Sequence, residues 1–491
     1  MKSKFSKVLS ILLSVVLVIS SFYLLYQVIR LNVLPSKFLF PLTIGVVVLD
    51  AIFILLLIYF SKNVVSKIVC IVLTLFICVA SCMGGYYISK TQNVLSSITN
   101  VAKHAKNTVS VIVKESSSIK NKSQLNGVSV GSLRLNEQGS KKALKELSGE
   151  GIVLNQKEYD SMTALLEAFY NGEVDSIIIN ESSRSQILDM ETYSNFDSNT
   201  RVVYQTSYKV KNNDSATSVS DITSKPFNVL ISGSDTRGGF DENGRSDVIM
   251  IATVNPKTHT ILLTSVPRDF YVTTACDAGD GCMQGALDKI THTGIHGTNT
   301  TKRTVEQLLG IEINYTFKVG FDTVTELVDV LGGVDVYVEP GYATTTSEFS
   351  VHEGVNHLNA QQALAFARER YSYTEGDRQR TKNQQQVLMG IVKEVTKPSV
   401  ITNYAAIMDT MANTFSTTMS NAEITDLIKY QLNNNPTWKM EQYMVDGTGD
   451  TLMCAELGDA ASVMVPDQST VKMAKDKINA VLAGKSSEDV K

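Results

Sequence analysis

Three long apolar segments open the chain, and short polar stretches separate them. Residues 8–29 and 68–88 contain no charged side chain, and residues 38–60 contain only Asp50. A helix that spans a membrane needs about 20 consecutive apolar residues, and each segment reaches that length. The pattern therefore predicts three transmembrane helices within residues 1–89. Asp50 would be costly in lipid, and we interpret it as a carboxyl bonded to a neighbouring helix, with a functional role as the alternative.

Charges beside the apolar segments predict their orientation. Five lysines lie in the N-terminal segment and in the loop at 61–67, against Arg30 and Lys37 in the other loop. Lysine and arginine are enriched in cytoplasmic loops, so the N-terminus is predicted in the cytoplasm and everything after about residue 89 outside the cell. A signal peptide is the alternative for the first segment. It is disfavoured because no small-x-small cleavage site follows and two further apolar segments come next.

The next part of the chain alternates short apolar runs with amphipathic stretches. "GVSVGSL", "EGIVLNQ" and "EVDSIIIN" predict strands, and "SKKALKEL" and "DSMTALLEAFYNG" predict helices. We expect a small α/β accessory domain at residues 98–213, a recognition or spacer module in which no catalytic constellation is visible. The polar stretch at 214–226 has the composition of a linker.

Residues 227–491 predict the main domain, an α/β fold with a mixed sheet and flanking helices. "FNVLIS", "DVIMIATVN" and "HTILLTSV" predict three strands rich in β-branched residues. If both connections are antiparallel returns, Asp235 follows the first strand, Asp247 precedes the second and Arg268 follows the third. All three would then lie at one edge of the sheet.

This grouping of acids and arginines indicates a particular ligand. Adjacent carboxylates repel unless a cation lies between them, and Mg²⁺ prefers one or two carboxylates with water and phosphate oxygens. The planar arginine side chain binds phosphate through two hydrogen bonds. Asp235, Asp247, Arg245 and Arg268 therefore predict a site for a metal-bound phosphate or diphosphate. The structural alternative is that the aspartates are turn and capping residues.

Further arginines follow in "HLNAQQALAFARERYSYTEGDRQRTKNQQQVL". Asn359 is predicted to cap a helix that ends near Arg368 and Arg370. Ligand binding is favoured for Arg370, whereas a solvated surface charge remains the alternative for Arg368.

A second helix is predicted to open at Asp377, which would cap it. Arg380 and Gln384 are four residues apart and share one face of that helix. An arginine near a helix N-terminus is unfavourable unless an anion binds there, so Arg380 is predicted to bind the ligand. Arg378 has the alternative of a surface charge. The buried stripe of the helix is predicted at Val387, Leu388, Ile391, Val392 and Val395.

Composition excludes some functions and leaves others open. A net charge of -4 and a pI near 6.0 argue against a nucleic-acid-binding protein. His292 and His296 are four residues apart, but neighbouring glycines favour loop residues over a zinc site. Cys276 and Cys282 lie in the predicted extracytoplasmic part, where they could form a disulfide or remain free thiols.

The motifs at residues 229–395 resemble those of a known family. "GSDTR", "GRSDVIMI", "SVPRDFYV", "DKITHTGIHG" and "GDRQRTKNQQQ" are similar to successive motifs of the LytR-CpsA-Psr family. Three membrane helices followed by an extra domain resemble its CpsA-type capsular polysaccharide members in particular. The resemblance implies a membrane-bound ligase of the Gram-positive envelope. Such a ligase moves a capsular or wall polysaccharide from an undecaprenyl diphosphate carrier to peptidoglycan.

The resemblance also implies roles for individual residues. Asp235 and Asp247 match the acids of a Mg²⁺ site, with Mn²⁺ as a possible substitute, and Asp235 has the alternative role of general base. The positions that match diphosphate contacts are Arg245, Arg268, Arg368, Arg370, Arg380 and Gln384. Asn383 stands where the family often has arginine, so no role is carried to it. A hydrolase that uses water and a regulator that only binds the lipid are the alternative functions.

Overall fold

The computed structural model describes residues 2–60, 63–99, 104–134, 137–234, 242–277, 281–397, 406–407, 409–410 and 415–491. The chain divides into two compact units. The first comprises Met1–Thr99, Lys393–Ala412 and Ser420–Thr437. The second comprises Asn100–Val392, Asn413–Met419 and Trp438–Lys491.

The described residues form α-helices and β-strands, each numbered in chain order. The helices are α1 (Lys2–Leu31), α2 (Ser36–Leu55), α3 (Val64–Thr99), α4 (Glu137–Gly149), α5 (Met162–Asn171), α6 (Arg184–Asp189), α7 (Phe196–Asn199), α8 (Thr298–Leu309), α9 (Phe321–Leu331), α10 (Ala360–Arg368), α11 (Asp377–Val395), α12 (Asn421–Asn434) and α13 (Gln468–Leu482). The strands are β1 (His104–Lys114), β2 (Ser129–Leu133), β3 (Asn155–Tyr159), β4 (Ser176–Asn180), β5 (Thr200–Lys211), β6 (Phe227–Ser234), β7 (Val248–Asn255), β8 (Thr260–Val266), β9 (Tyr271–Thr273), β10 (Leu287–Lys289), β11 (Tyr315–Gly320), β12 (Val334–Val338), β13 (Thr344–Thr345), β14 (Ser350–Val351), β15 (Gly354–Leu358), β16 (Phe415–Thr417), β17 (Lys439–Met444), β18 (Gly447–Cys454) and β19 (Asp459–Pro466).

Long apolar helices dominate the first unit. Lys7–Leu31, Ser36–Tyr59 and Val64–Thr99 are each long and apolar enough to cross a membrane, which confirms three helices of the predicted length and composition. The Ser21 hydroxyl on α1 donates to Asp50 Oδ1 on α2 at 2.9 Å. The carboxyl in the second span therefore bonds to a neighbouring helix, as predicted.

Helix α12 contacts the ends of the membrane helices within this unit. Lys429 Nζ donates to Asn32 Oδ1 at 2.8 Å, and Lys37 Nζ donates to the Asn433 carbonyl oxygen at 2.7 Å. Thr99 Oγ1 donates to Asn421 Oδ1 at 2.7 Å. The α1–α2 loop and the end of α3 therefore both lie beside α12, as they would if all three helices crossed a membrane.

The accessory region, residues 104–211, forms a five-stranded mixed sheet of order β3-β2-β4-β1-β5. Helix α5 begins with a cap in which Ser161 Oγ accepts from the Ala164 N–H at 3.1 Å. It ends at Gly172, whose φ of 80° is the left-handed conformation that glycine adopts most readily. The predicted helices and the predicted strands that became β2 and β4 are confirmed.

The strand predicted at "EGIVLNQ" was misplaced. Strand β3 begins only at Asn155, and four of its five residues are exposed. Ile152 and Leu154 before it pack into the core beneath the sheet, so their apolar character reflects burial and not strand pairing. Two strands were missed. β1 and β5 pair antiparallel along eleven residues of β1, and this long-range pairing supplies one edge strand of the sheet and its neighbour.

The candidate catalytic region comprises residues 227–392, 413–419 and 438–491 of the second unit. It contains a six-stranded mixed sheet of order β16-β11-β6-β7-β8-β17. The β6–β7 and β7–β8 pairs are antiparallel, whereas β11 and β17 run parallel to their neighbours β6 and β8. The predicted mixed sheet and both predicted antiparallel returns are therefore confirmed. Because strand side chains alternate between faces, the sheet buries two different apolar surfaces.

One face of this sheet carries the main core. Leu230, Ile249 and Ile251 pack there against α8 and α13. The opposite face carries Ile231, Val248 and Met250, which lie towards α9, α10 and α11. In the same region Cys276 and Cys282 form a disulfide, so the free-thiol alternative is excluded for this pair.

Candidate active site

The predicted cluster lies at one edge of the six-stranded sheet. Asp247 directly precedes β7, and Arg268 follows β8 by two residues. Arg268 Nη1 donates to Asp247 Oδ1 at 2.9 Å, and Arg245 Nη2 lies 3.8 Å from the same oxygen. The structure thus brings together Asp247, Arg245 and Arg268. Asp235 lies outside the described residues, so its place in the cluster stays a prediction.

Backbone contacts hold this edge in place. The Asp247 N–H donates to the Gly233 carbonyl at 2.8 Å, which continues the β6–β7 pairing into the site. A Cβ at Gly233 would lie 2.8 Å from Val248 Cβ, so the close approach of the strands requires glycine. The Thr291 N–H donates to the Arg268 carbonyl at 3.0 Å. The arginine and the aspartate therefore project from fixed backbone.

Arg380 joins the cluster from the first turn of α11. It forms an ion pair with Asp377, the first residue of that helix. Burial lowers the pKa of Arg380 below its ordinary value, and the positive charges of Arg268 and Arg370 act in the same direction. Burial also acts to lower the pKa of Arg268, but Asp247 and other nearby carboxylates outweigh it and raise that pKa. The guanidinium groups are thus close enough to influence one another.

Several buried guanidinium nitrogens in this cluster have unused hydrogen-bonding capacity. Among the described residues, the Nε atoms of Arg245, Arg268 and Arg380 are buried and have no hydrogen-bond partner. A buried N–H without a partner is unfavourable, and a charged one especially so. The oxygen atoms of an anion are suitable acceptors for such groups.

The other predicted diphosphate contacts have different surroundings. Arg370, between α10 and α11, donates through Nη2 to the Tyr371 hydroxyl at 2.7 Å, and Tyr371 is 85% exposed. Arg368 is the last residue of α10 and is exposed. Gln384 lies one turn after Arg380 and lines an apolar pocket. Their roles in ligand binding remain predictions.

Two carboxylates at the site were not predicted as site residues. Asp377 was interpreted as a helix cap, but it is the first residue of α11 and contacts Arg380. Its spacing of three residues from Arg380 could have indicated this pairing. Asp189, at the end of α6 in the accessory region, contacts Arg245 Nη1. No local sequence signal identifies a pair that is 56 residues apart.

Buried amides explain how α11 is fixed on the sheet. Gln385 Nε2 donates to the Tyr443 carbonyl of β17 at 2.8 Å and to the Leu263 carbonyl of β8 at 3.3 Å. Asn383 is 1% exposed and donates to the Phe366 carbonyl of α10 at 3.0 Å. An uncharged amide fits this enclosed position. The apolar stripe predicted for α11 is confirmed at Val387 and Ile391, which are buried.

An apolar pocket of about 590 Å³ adjoins the cluster. The sheet contributes Val248 and Met250, α9 contributes Val324 and α11 contributes Leu388. Val248 directly follows Asp247, which connects the pocket to the arginine cluster. The structure therefore places the arginine cluster beside an apolar pocket.

The two neighbouring histidines are bound to separate acids. His292 Nδ1 lies 2.7 Å from Asp288 Oδ1, and both residues are buried in a 3-10 segment and the strand before it. His296 Nε2 lies 2.9 Å from Glu456 Oε2. Within the described ranges no group of three histidines, cysteines or acids could hold a metal ion. These contacts are typical of structural histidines.

Comparison with known proteins identifies the family. The profile of the LytR_cpsA_psr family matches residues 192–480, more than half of the chain. The polyisoprenyl-teichoic acid–peptidoglycan teichoic acid transferase TagU of Bacillus cereus (strain AH820) is 33% identical over 207 residues, 42% of this chain and 65% of that protein. TagU of Bacillus subtilis (strain 168) is 35% identical over 196 residues, 40% of this chain and 60% of that protein. The chain thus spans slightly less than two thirds of these relatives.

Solved structures show a similar match. A Streptococcus agalactiae protein has 25% identity and a TM-score of 0.45, covering 53% of this chain and 89% of its own. The crystal structure of Bacillus subtilis TagU has 28% identity and a TM-score of 0.41, covering 52% of this chain and 97% of its own. With the family profile matched across the sheet, the arginine cluster and α11, the chain belongs to the LytR_cpsA_psr family.

Proposed function

We propose that this chain is a membrane-anchored ligase for cell-envelope glycopolymers. It moves a capsular or wall polysaccharide from an undecaprenyl diphosphate carrier to peptidoglycan. The observation that carries the proposal is the cluster of arginines with buried Nε atoms beside an apolar pocket, which matches a diphosphate headgroup with a hydrocarbon tail. The TagU relatives are named as transferases that act on polyisoprenyl-linked teichoic acid and peptidoglycan, which supports the same reaction class.

The arginines would bind the diphosphate and stabilise charge during transfer. Arg268 follows β8 and Arg380 lies in the first turn of α11, so two separate elements could supply contacts to phosphate oxygens. Their positive charge would favour the transition state and the departing lipid phosphate, in a partly enclosed site where electrostatic effects are strong. Arg245, Arg368, Arg370 and Gln384 are the further proposed contacts. The apolar pocket would hold part of the polyprenyl chain.

The proposed reaction is a phosphoryl transfer. The oxygen of an acceptor hydroxyl on peptidoglycan attacks the phosphorus that carries the glycan, and the bond from this phosphorus to the bridging oxygen breaks. Polyprenyl monophosphate leaves, and the glycan becomes joined through a phosphodiester. The hydroxyl proton must pass to a base, and Asp235 is one candidate for that role.

A divalent cation fits the donor set of the site. Asp247 offers a carboxylate that is 12% exposed at the sheet edge, and one or two carboxylates are the usual protein contribution to a Mg²⁺ site. Asp247 and Asp235 would hold Mg²⁺ or Mn²⁺, and the cation would supply further neutralisation of phosphate charge. Asp247 also contacts Arg268, so it would order the arginine in the absence of ligand.

We propose that the catalytic region is extracytoplasmic, where peptidoglycan is located. The lysine distribution and three crossings support this orientation. A reporter enzyme that is active only in the cytoplasm should therefore be silent when fused after Lys491. The same reporter fused after Ser61, in the loop between the second and third spans, should be active. Activity from the fusion at Lys491 would reverse the orientation.

Obstruction of the apolar pocket should reduce lipid retention. Val324→Phe on α9 adds a ring where the side chain is half-buried and faces the pocket. We expect several-fold less co-purified polyprenyl lipid by mass spectrometry, with a similar melting temperature. Val355→Phe is the control, because Val355 is 62% exposed and does not line this pocket. Equal lipid retention in both variants would show that this pocket does not hold the polyprenyl chain.

A product assay separates the ligase from the hydrolase. The full chain in detergent is incubated with Mg²⁺ and a radiolabelled glycan on polyprenyl diphosphate, with and without peptidoglycan. A ligase should transfer label to insoluble peptidoglycan and release polyprenyl monophosphate only when the acceptor is present. Release of soluble glycan phosphate at equal rates in both reactions, with no labelled peptidoglycan, would establish the hydrolase instead.

A further inference from the structure

A second cavity lies between the accessory region and the catalytic region, which belong to the same compact unit. It encloses about 810 Å³ of free space, part of which is open to solvent. Asn107 on β1, Asn180 on β4 and Tyr208 on β5 line it from the accessory sheet. Asn243 and Glu456 line it from the catalytic region. We call it the amide cavity.

The lining of the amide cavity is polar but carries little charge. No lysine or arginine is found among the described residues that line it, in contrast to the arginine cluster. Side-chain amides supply both donors and acceptors, so they can bind neighbouring hydroxyl groups. Met162, Val210 and Ile295 add apolar surface. Such a combination fits a ligand with hydroxyls around its edge and C–H groups on its faces, which is the chemistry of a neutral sugar ring.

A buried acceptor in the cavity lacks a partner. Asn107 is 8% exposed, and its Oδ1 atom has no hydrogen-bond partner among the described residues. Its Nδ2 atom donates to the Tyr208 hydroxyl at 3.5 Å, and Asn180 Nδ2 donates to the same hydroxyl at 3.3 Å. Because an unpaired buried oxygen is unfavourable, a ligand hydroxyl that donates to Asn107 would be stabilised.

The walls of the cavity are connected on both sides. Glu242 of the catalytic region is 5% exposed and accepts a hydrogen bond from Thr108 beside Asn107. On the other side, the Met162 N–H donates to the Leu457 carbonyl at 3.0 Å. Thr163 Oγ1 donates to Asp459 Oδ2 at 2.7 Å. These contacts fix the two regions against each other, so the cavity is a formed site.

We infer that the amide cavity binds a neutral sugar residue during glycan transfer. This inference rests on the proposed function. Under that function the sugar could belong to the glycan on the lipid carrier or to the peptidoglycan acceptor strand. Asn243 connects the cavity to the diphosphate site, because it precedes Arg245 by two residues. The accessory region thereby positions a sugar near the reacting phosphate.

Sugar binding can be measured on the full-length chain in lipid nanodiscs. The probes are the β-1,4-linked tetramer of N-acetylglucosamine and the neutral glucose tetramer maltotetraose. Saturation-transfer NMR and calorimetry should detect at least one of them. Preference for the acetamido sugar would indicate the peptidoglycan strand as the source, and preference for maltotetraose would indicate the carried glycan.

Two variants test whether the amide cavity is the site. Asn107→Ala and Asn243→Ala should each weaken binding about tenfold, because each removes hydrogen bonds to a sugar hydroxyl. Asn243 lies in an irregular segment, so its replacement leaves the β1 pairing intact even if Asn107→Ala destabilises the sheet. Asn171→Ala is the control, because this exposed amide at the end of α5 does not line the cavity.

Sugar binding should not depend on the diphosphate site. Arg268→Ala should bind the sugar probe as the parent does, although its lipid retention falls. Absence of binding by both probes, or equal binding by the parent, Asn107→Ala and Asn243→Ala, would show that the cavity holds only water and would overturn the inference. Lipid retention and transfer by the parent would still test the proposed function separately.

Discussion

Asp247→Ala should reduce glycan transfer on the order of a hundredfold or more and remove its response to Mg²⁺. Loss of one group that stabilises developing charge in an active site costs about 2.7–4 kcal/mol. Lipid retention should persist or increase, because the substitution removes negative charge beside the arginines that bind the diphosphate. Transfer rate against Mg²⁺ concentration and bound lipid by mass spectrometry are the two measurements.

Asp189→Ala is the matched control for this variant. Asp189 also contacts Arg245, but its side chain is 56% exposed and belongs to the accessory region. Its removal should leave the Mg²⁺ response unchanged. Near-parent transfer by Asp247→Ala, with an unaltered dependence on Mg²⁺, would show that Asp247 is not a metal ligand. Both variants should melt near the parent temperature, since neither removes a side chain of the apolar core.

Arg268→Ala and Arg380→Ala should each weaken both lipid retention and transfer. A charge-assisted hydrogen bond contributes about 1.5–3 kcal/mol, so we expect a loss of roughly ten- to a hundredfold. Unlike Asp247→Ala, these variants should keep their Mg²⁺ response while they lose lipid. Retained lipid by mass spectrometry and the transfer rate at saturating Mg²⁺ distinguish the two patterns.

Arg378→Ala is the control for the arginines. It lies two residues before Arg380, but its guanidinium donates to Asp446 at 2.7 Å and is 42% exposed. Its replacement should therefore change lipid retention little. If Arg378→Ala and Arg380→Ala lose lipid equally, the loss reflects the total positive charge of the region. The proposed specific contact between Arg380 and the diphosphate would then be wrong.

Sequence patterns predicted the helices, strands and helix cap that are determined by interactions between residues close in sequence. The apolar length of the three spans, the alternation in β6 to β8 and the cap at Asn359 all act over a few residues. In the structure Asn359 Oδ1 accepts from the Gln362 N–H at 3.0 Å, and Gln362 Oε1 accepts from the Asn359 N–H at 3.1 Å. The position of Asp247 beside Arg268 then followed from two antiparallel returns.

Other features depend on partners that are distant in sequence. The pairing of β1 with β5 joins segments on either side of the accessory helices, and no local period indicates it. The contact of Asp189 with Arg245 likewise requires the packed arrangement of two regions. Polar residues such as Asn383 and Gln385 are buried because backbone carbonyls of neighbouring elements accept their hydrogen bonds. Hydropathy alone would place such residues at the surface.

A structure of the full-length chain with a bound polyprenyl diphosphate would test the proposed lipid-binding site. We expect phosphate oxygens within hydrogen-bonding distance of the Nε or Nη atoms of Arg268 and Arg380. We also expect the hydrocarbon chain between the β6–β7–β11 part of the sheet and helices α9 to α11. A lipid whose diphosphate lies away from both arginines, or whose tail lies outside that pocket, would contradict it.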